Sequence, residues 1–399
     1  MTAVLHATGL SVIHRTRSGP LHAVSDVDLT LHERRTLALV GESGSGKSSI
    51  AKALLRLPPP TAGTVTLAGT DLATLRPRAL RALRPRIQMV FQDPLSSLNP
   101  RRQVSDLVAE PLDAHPDAAR DRAAVIERQL NAVGLPPALF GDRRPGQLSG
   151  GQAQRVAIAR ALAAEPQVLI ADEAVSALDV SAQATVLNLL RRLTEERGLA
   201  SLFISHDLGV VRAVSDDVAV LQLGRLCEQG PTEEVLAAPA HPYTAALLAA
   251  VPEPGRPLGD TGLLPTDPPS PLDPPSGCRF RTRCPLADAR CADETPALRE
   301  IAPHRTVACH RPLITPAHHQ HLALPPLPCR PAPERPADGP CGNRRPGAPG
   351  GAAGGLAGTV RPRHGRALDS ARCGARWCGA RWCAVRWCAV RWCAVRCGA

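Results

Sequence analysis

Lysine is almost missing from this 399-residue chain: of 47 basic residues only Lys47 and Lys52 are lysines, and the other 45 are arginines. Aromatic residues make up 2%, and all four tryptophans, Trp377, Trp382, Trp387 and Trp392, fall in one terminal stretch. No apolar run reaches the roughly 20 residues that a membrane-spanning helix requires, which excludes a helical integral membrane protein. No basic-then-apolar segment opens the chain, so a protein soluble when synthesised is expected, with its cysteines reduced or metal-bound rather than paired.

A broad positive surface is missing as well, once the net charge of +11 is located. Residues 330–399 hold 13 Arg against Glu334, Asp338 and Asp369, a net of +10, which leaves about +1 for residues 1–329. A body so close to neutral lacks the electrostatic footprint of a nucleic-acid binder, and no nucleic-acid partner is expected. The basic stretch iterates "RWCAV" after a Pro/Gly/Ala-rich segment that has no packing period, so residues 316–399 are expected to be disordered. Arg beside Trp can stack on bases or sit on anionic lipid. A five-residue period, however, is neither helical nor strand-like and would expose Trp in every direction, which favours translation through repetitive DNA.

What the chain does hold is 44% hydrophobic residues, enough for a sizeable core and for two domains or more. It also holds one conspicuous lysine. "TLALV" (36–40) reads as a buried parallel strand, and "KSSIAKALLRL" (47–57) has helical spacing and stops at Pro58. Between them lies G-x-x-x-x-G-K-S, Gly41 to Ser48, and strand, glycine loop and helix together make a phosphate-binding loop. Gly41, Gly44 and Gly46 let successive backbone N–H groups turn inward on phosphates at the positive end of the helix dipole. Lys47 then lies between β- and γ-phosphates, where a compact ammonium suits and a planar guanidinium does not. Ser48 is expected to place its hydroxyl on Mg²⁺.

Downstream, "PQVLIADE" (166–173) is an apolar strand run ending in two carboxylates. Two acids at the end of a buried strand are costly without a cation, so Asp172 is expected in the Mg²⁺ shell and Glu173 as the group polarising an attacking water. "LSGGQ" (148–152) opens an amphipathic helix, and taken alone it is only a good helix start.

With these motifs in order, the chain resembles the ATP-binding subunits of ABC transporters over roughly residues 5–312. It carries the signature "LSGGQ", a Q-loop "VFQDPLSSLNP" with Gln92, a D-loop "SALD" (176–179) and an H-loop "FISHD" with His206. "HPYTAALLAAVP" (241–252) and "PPSGCRFRTRCPLADARC" (274–291) are similar to the oligopeptide/dipeptide and nickel importers of that family. The resemblance implies an α/β P-loop ABC ATPase: a RecA-like parallel core, an antiparallel β layer over 8–31 and 63–71, and a helical subdomain at about 101–150. It implies a nucleotide-binding domain over 1–250 and a small Cys-containing extension over 251–315. It further implies ATP and Mg²⁺ bound by Gly41, Glu42, Ser43, Gly44, Ser45, Gly46, Lys47, Ser48 and Ser49. Gln92 joins Ser48 and Asp172 at the metal, Glu173 and His206 act in catalysis, and His14 stands where relatives carry the adenine-stacking aromatic. Ser149, Gly150, Gly151, Gln152 and Asp179 would meet the ATP of a second ATPase subunit, paralogous or identical. Two membrane permeases and, indirectly, an extracytoplasmic solute-binding protein complete the implied assembly, at the cytoplasmic face of the membrane. DNA- and ribosome-directed ABC ATPases fit less well, because only about a hundred residues separate the loop from the signature and one cassette is present.

Cys278, Cys284, Cys291 and Cys309 lie in a segment dense with Pro and Arg, which needs docking on the body or an internal staple to be ordered. Their spacing lacks the close Cys pairs usual for structural zinc. Four thiolates can hold a [4Fe–4S] cluster, and Cys284-Pro285 is similar to the Cys-Pro that closes a ferredoxin-type run. The family resemblance points the same way. Zinc and four reduced thiols stay open beside it.

Overall fold

The computed structural model describes residues 2–113, 121–251 and 269–313, all within a first compact unit spanning residues 1–327. The expected disorder of 316–399 lies outside the described residues.

Two long strands, β1 (Ala3–Thr16) and β2 (Gly19–His32), form an antiparallel hairpin whose buried positions alternate with exposed ones, the period of a sheet covered on one face. β3 (Thr36–Val40) leaves this layer. β4 (Ala62–Leu67) and β5 (Thr70–Asp71) return to it, giving the order β2-β1-β4-β5, the expected antiparallel layer. The second sheet takes β3 with β6 (Ile87–Val90), β7 (Val168–Asp172), β8 (Ala200–Ile204), β9 (Asp217–Gln222), β10 (Arg225–Pro231), β11 (Arg299–Ala302) and β12 (Arg305–Val307). Its order is β11-β12-β10-β9-β3-β8-β7-β6. β3, β7 and β8 are buried at every position, the continuous apolar run of strands covered on both faces.

β3 and β6–β9 run parallel, while β10, β12 and β11 each pair antiparallel with the strand before them in the order β9-β10-β12-β11. β12, from the residues beyond 250, hydrogen-bonds to β10 through Glu228↔Val307 and Gln229↔Thr306. Strands of three and four residues are too short to show a period in sequence.

The helical subdomain comprises Val104–Asp113, Arg122–Ala132 and Pro137–Phe140, and its apolar faces pack on the signature helix Gly150–Ala163 through Leu107, Val108, Leu130, Val156 and Leu162. Among the described residues no helix is long and apolar enough to cross a membrane.

The extension is joined to the sheet by buried polar groups. Arg305 and Glu228 form an ion pair at 2.8 Å with side chains 1% and 0% exposed, and the Glu228 carboxylate also accepts the N–H groups of Ala240 and His241, each at 2.9 Å. His241 is itself buried, with Nδ1 accepting the Tyr243 N–H at 3.0 Å, and burial lowers its pKa from 6.5 to about 4. The unfolded chain thus binds a proton between those values that the folded chain refuses. Stability is full above pH 6.5 and falls as pH drops toward 4, by about 2 kcal/mol at pH 5 from this group. Urea melts at pH 7 and pH 5 should show a loss that His241→Asn reduces by that amount; an unchanged loss in the variant would clear His241 of the effect.

Candidate functional site

β3 delivers the chain into the glycine loop, and the helix Lys47–Leu54 leaves it. The loop threads a gap too narrow for side chains at two points. Gly41 has φ 151° and an added Cβ would lie 2.2 Å from the Leu221 carbonyl oxygen; Gly46 has φ 107° and its Cβ would lie 2.1 Å from that of Ala23. Only glycine combines such backbone angles with such approach. Lys47, 5% exposed, donates from Nζ to the carbonyls of Gly41 (2.8 Å) and Glu42 (2.9 Å) and to Ser45 Oγ (3.4 Å). Burial lowers its pKa, and the charges of Glu173, Asp172 and Glu42 oppose that shift.

The two residues expected to hold Mg²⁺ on either side meet directly: Ser48 Oγ donates to Asp172 Oδ1 at 3.1 Å. Asp172 ends β7 and is buried, which raises its pKa; the Ser48 hydroxyl opposes the shift, the Glu173 charge adds to it, and Lys52 and Lys47 oppose it. A hydroxyl and a desolvated carboxylate side by side form a hard oxygen donor set that suits Mg²⁺.

Glu173 takes φ 47°, a left-handed conformation uncommon for a residue with a side chain, and its N–H donates to the Ile204 carbonyl at 3.0 Å. Its carboxylate accepts Gln92 Nε2 at 2.7 Å and lies 3.5 Å from His206 Nδ1. Three residues from three separate loops thus converge, and the His206 side chain is 62% exposed. His14 Nε2 lies 3.2 Å from Ser49 Oγ, which brings the expected base-binding histidine to the first turn of the loop helix.

The signature residues stand apart: among the described residues no hydrogen bond links 149–152 to this group. Ser149 caps the helix Gly150–Ala163 in a reciprocal pair with Gln152, Ser149 and Gly150 are exposed, and Gly151 approaches Ala182 of the helix Val180–Arg197. Asp179 caps that second helix by accepting the Ala182 N–H at 2.9 Å.

The Glu42 carboxylate is taken by both terminal nitrogens of Arg283, while its N–H donates to Tyr243 Oη. Tyr243 and Arg283 are the contributors that motif reading misses. Both lie inside the sequence stretches "HPYT" and "FRTRC", but nothing local to those stretches points at residue 42.

Cys278, Cys284, Cys291 and Cys309 line one small cavity with His241, all as free thiols. Burial pushes Cys309 up to about 12, with smaller upward contributions from the other three thiols. As arranged, no group of three or more His, Cys, Asp or Glu among the described residues forms a metal-holding set.

Residues 24–176 match the family described as ABC transporter, and residues 227–291 match that described as oligopeptide/dipeptide transporter, C-terminal region. The chain is 48% identical over 312 residues to a "probable peptide ABC transporter ATP-binding protein", y4tS, of Sinorhizobium fredii, covering 77% of this chain and 87% of that protein. It is 45% identical over 305 residues to the oligopeptide transport ATP-binding protein AppF of Bacillus subtilis, covering 75% and 92%. The chain belongs to the ABC transporter ATP-binding proteins. Solved structures agree on the fold of this ABC ATPase. The ATP-binding cassette MJ0796, a dimer bound to ADP and Pi, superposes with a TM-score of 0.52 at 28% identity over 57% of this chain and 98% of that one. The cbiO1 subunit of the cbiONQ transporter complex from Clostridium perfringens gives 0.53 at 26% over 59% and 92%.

Proposed function

We propose that this chain hydrolyses ATP to power the uptake of oligopeptides, dipeptides, or nickel or a related solute through two partner permeases, at the cytoplasmic face of the membrane. The observation that carries the peptide-importer reading is the match of residues 227–291 to the oligopeptide/dipeptide transporter C-terminal region, joined to relatives named for peptide transport. An extracytoplasmic solute-binding protein would deliver the cargo.

The chemistry is assigned residue by residue. Lys47 and backbone N–H groups of the loop bind the β- and γ-phosphates. Ser48 and Asp172, with Gln92, would hold Mg²⁺, which when bound neutralises charge on the phosphate oxygens. The Glu173 carboxylate orients the attacking water and takes up its proton, and His206, beside it, contacts the γ-phosphate. His14 lies against the base. The exposed Ser149 and Gly150, with Gly151, Gln152 and Asp179, would close on the ATP of a second ATPase subunit, as suits a family member solved as a dimer. Closure would be relayed to the permeases through the Gln92 loop. Purified with its permeases and partner ATPase, the chain should hydrolyse ATP faster when peptide-loaded binding protein is added; stimulation by nickel alone would move the solute assignment, and stimulation by neither would remove it.

The extension is read as a Cys-containing module in which Cys278, Cys284, Cys291 and Cys309 hold one [4Fe–4S] cluster of structural role. Four thiols on one cavity support that reading, although they would have to draw closer to bind it. Iron and acid-labile sulfide analysis after anaerobic purification decides: neither, or one zinc per chain, rejects the cluster.

A further inference from the structure

The phosphate loop is gripped from behind by two residues outside every nucleotide motif. Tyr243, fully buried, accepts the Glu42 N–H at 2.9 Å. Arg283, its side chain 3% exposed, meets the Glu42 carboxylate with Nη1 on Oε2 and Nη2 on Oε1, both at 2.8 Å. Phe280 wedges between them, its ring 5.3 Å from that of Tyr243 and 5.9 Å from the Arg283 guanidinium. On its other side Glu42 is tied to the phosphate-loop lysine, since its carbonyl accepts Lys47 Nζ at 2.9 Å.

We infer that Arg283 is a positioning residue for ATP: by fixing and neutralising Glu42 it sets where Lys47 and the loop amides meet the phosphates, so the C-terminal extension governs nucleotide affinity. This rests on the ATP-site reading above. Two physical consequences follow from removing the guanidinium. A two-pronged Arg–carboxylate contact fixes orientation as well as distance, and a lysine cannot reproduce it. The freed carboxylate would also remain half-buried one residue from the loop glycine, where its negative charge opposes that of the incoming triphosphate. Both effects weaken binding without removing any group that carries out hydrolysis.

The test is steady-state hydrolysis by the assembled transporter, with nucleotide binding followed independently by a fluorescent ATP analogue and folding by thermal melt. Arg283→Gln should raise the KM for ATP about tenfold while kcat changes less than about threefold, the split expected for lost uniform binding. Arg283→Lys should recover only part of the affinity. Glu42→Gln combined with Arg283→Gln should bind more tightly than Arg283→Gln alone, because the uncompensated charge is gone. A wild-type KM in folded Arg283→Gln overturns the inference, as does a loss confined to kcat, or a double variant no better than the single one. Lys47→Ala separates the two levels: if it binds ATP like wild type, the ATP-site reading itself fails, whereas lost binding there beside an unchanged KM in Arg283→Gln sinks only the positioning role.

Discussion

Glu173→Gln should bind ATP and turn it over 10²- to 10⁴-fold more slowly, the range of about one general base lost. The substitution keeps the side-chain volume, leaves Lys47, Ser48 and Asp172 in place, and retains an oxygen that can accept Gln92 Nε2, which now lies 2.7 Å away. What it removes is the negative oxygen that orients water and accepts its proton. The left-handed backbone at residue 173 is independent of the side chain's charge, so the geometry around His206 should persist. Because binding survives and hydrolysis does not, closed ATP-bound dimers should accumulate, visible by sedimentation. Hydrolysis near the wild-type rate, with partner subunits present, would take Glu173 out of the catalytic role.

The largest stability loss is expected at the seam between extension and core sheet. Arg305→Ala leaves the Glu228 carboxylate, 0% exposed, with only the Ala240 and His241 N–H groups for company. Breaking a buried pair by removing one partner costs about 3–5 kcal/mol, because a charge stays behind without compensation. In a body of this size that corresponds to a melting temperature lower by about 5–8 °C. Replacing both partners, Arg305→Met with Glu228→Leu, should recover much of the loss, since no buried charge remains, although the two N–H groups then lack their acceptor. A single variant that melts within about 1 °C of wild type would show that water or backbone shifts compensate for the pair.

These two sites differ in how far they could be read from sequence. The nucleotide site was legible because its chemistry demands contiguous residues: a loop of fixed length between a buried strand and a helix, and two acids after an apolar run. Four of the six short motifs then meet at one place in the fold, with Ser48 on Asp172 and Gln92 and His206 around Glu173, while the signature and Asp179 stand apart from it. The strands β3, β7 and β8 were legible for a related reason, since burial on both faces leaves an unbroken apolar run. The joints of the extension were not. Arg283 and Glu42 are 241 positions apart and Arg305 and Glu228 are 77 apart, and neither pair has a local period or spacing that announces it. The Arg283 partner of Glu42 is set by tertiary packing around Phe280, which no motif encodes.

Peptide transport driven by this subunit is the central claim, and its most direct measurement is uptake of a labelled oligopeptide into proteoliposomes. The vesicles hold the two permeases and the partner ATPase, with or without this chain, and are supplied with Mg-ATP inside and peptide-loaded binding protein outside. ATP-dependent accumulation that needs this chain and is lost with its Glu173→Gln variant is the predicted result; equal accumulation with the wild-type chain, the variant or no chain at all would contradict it.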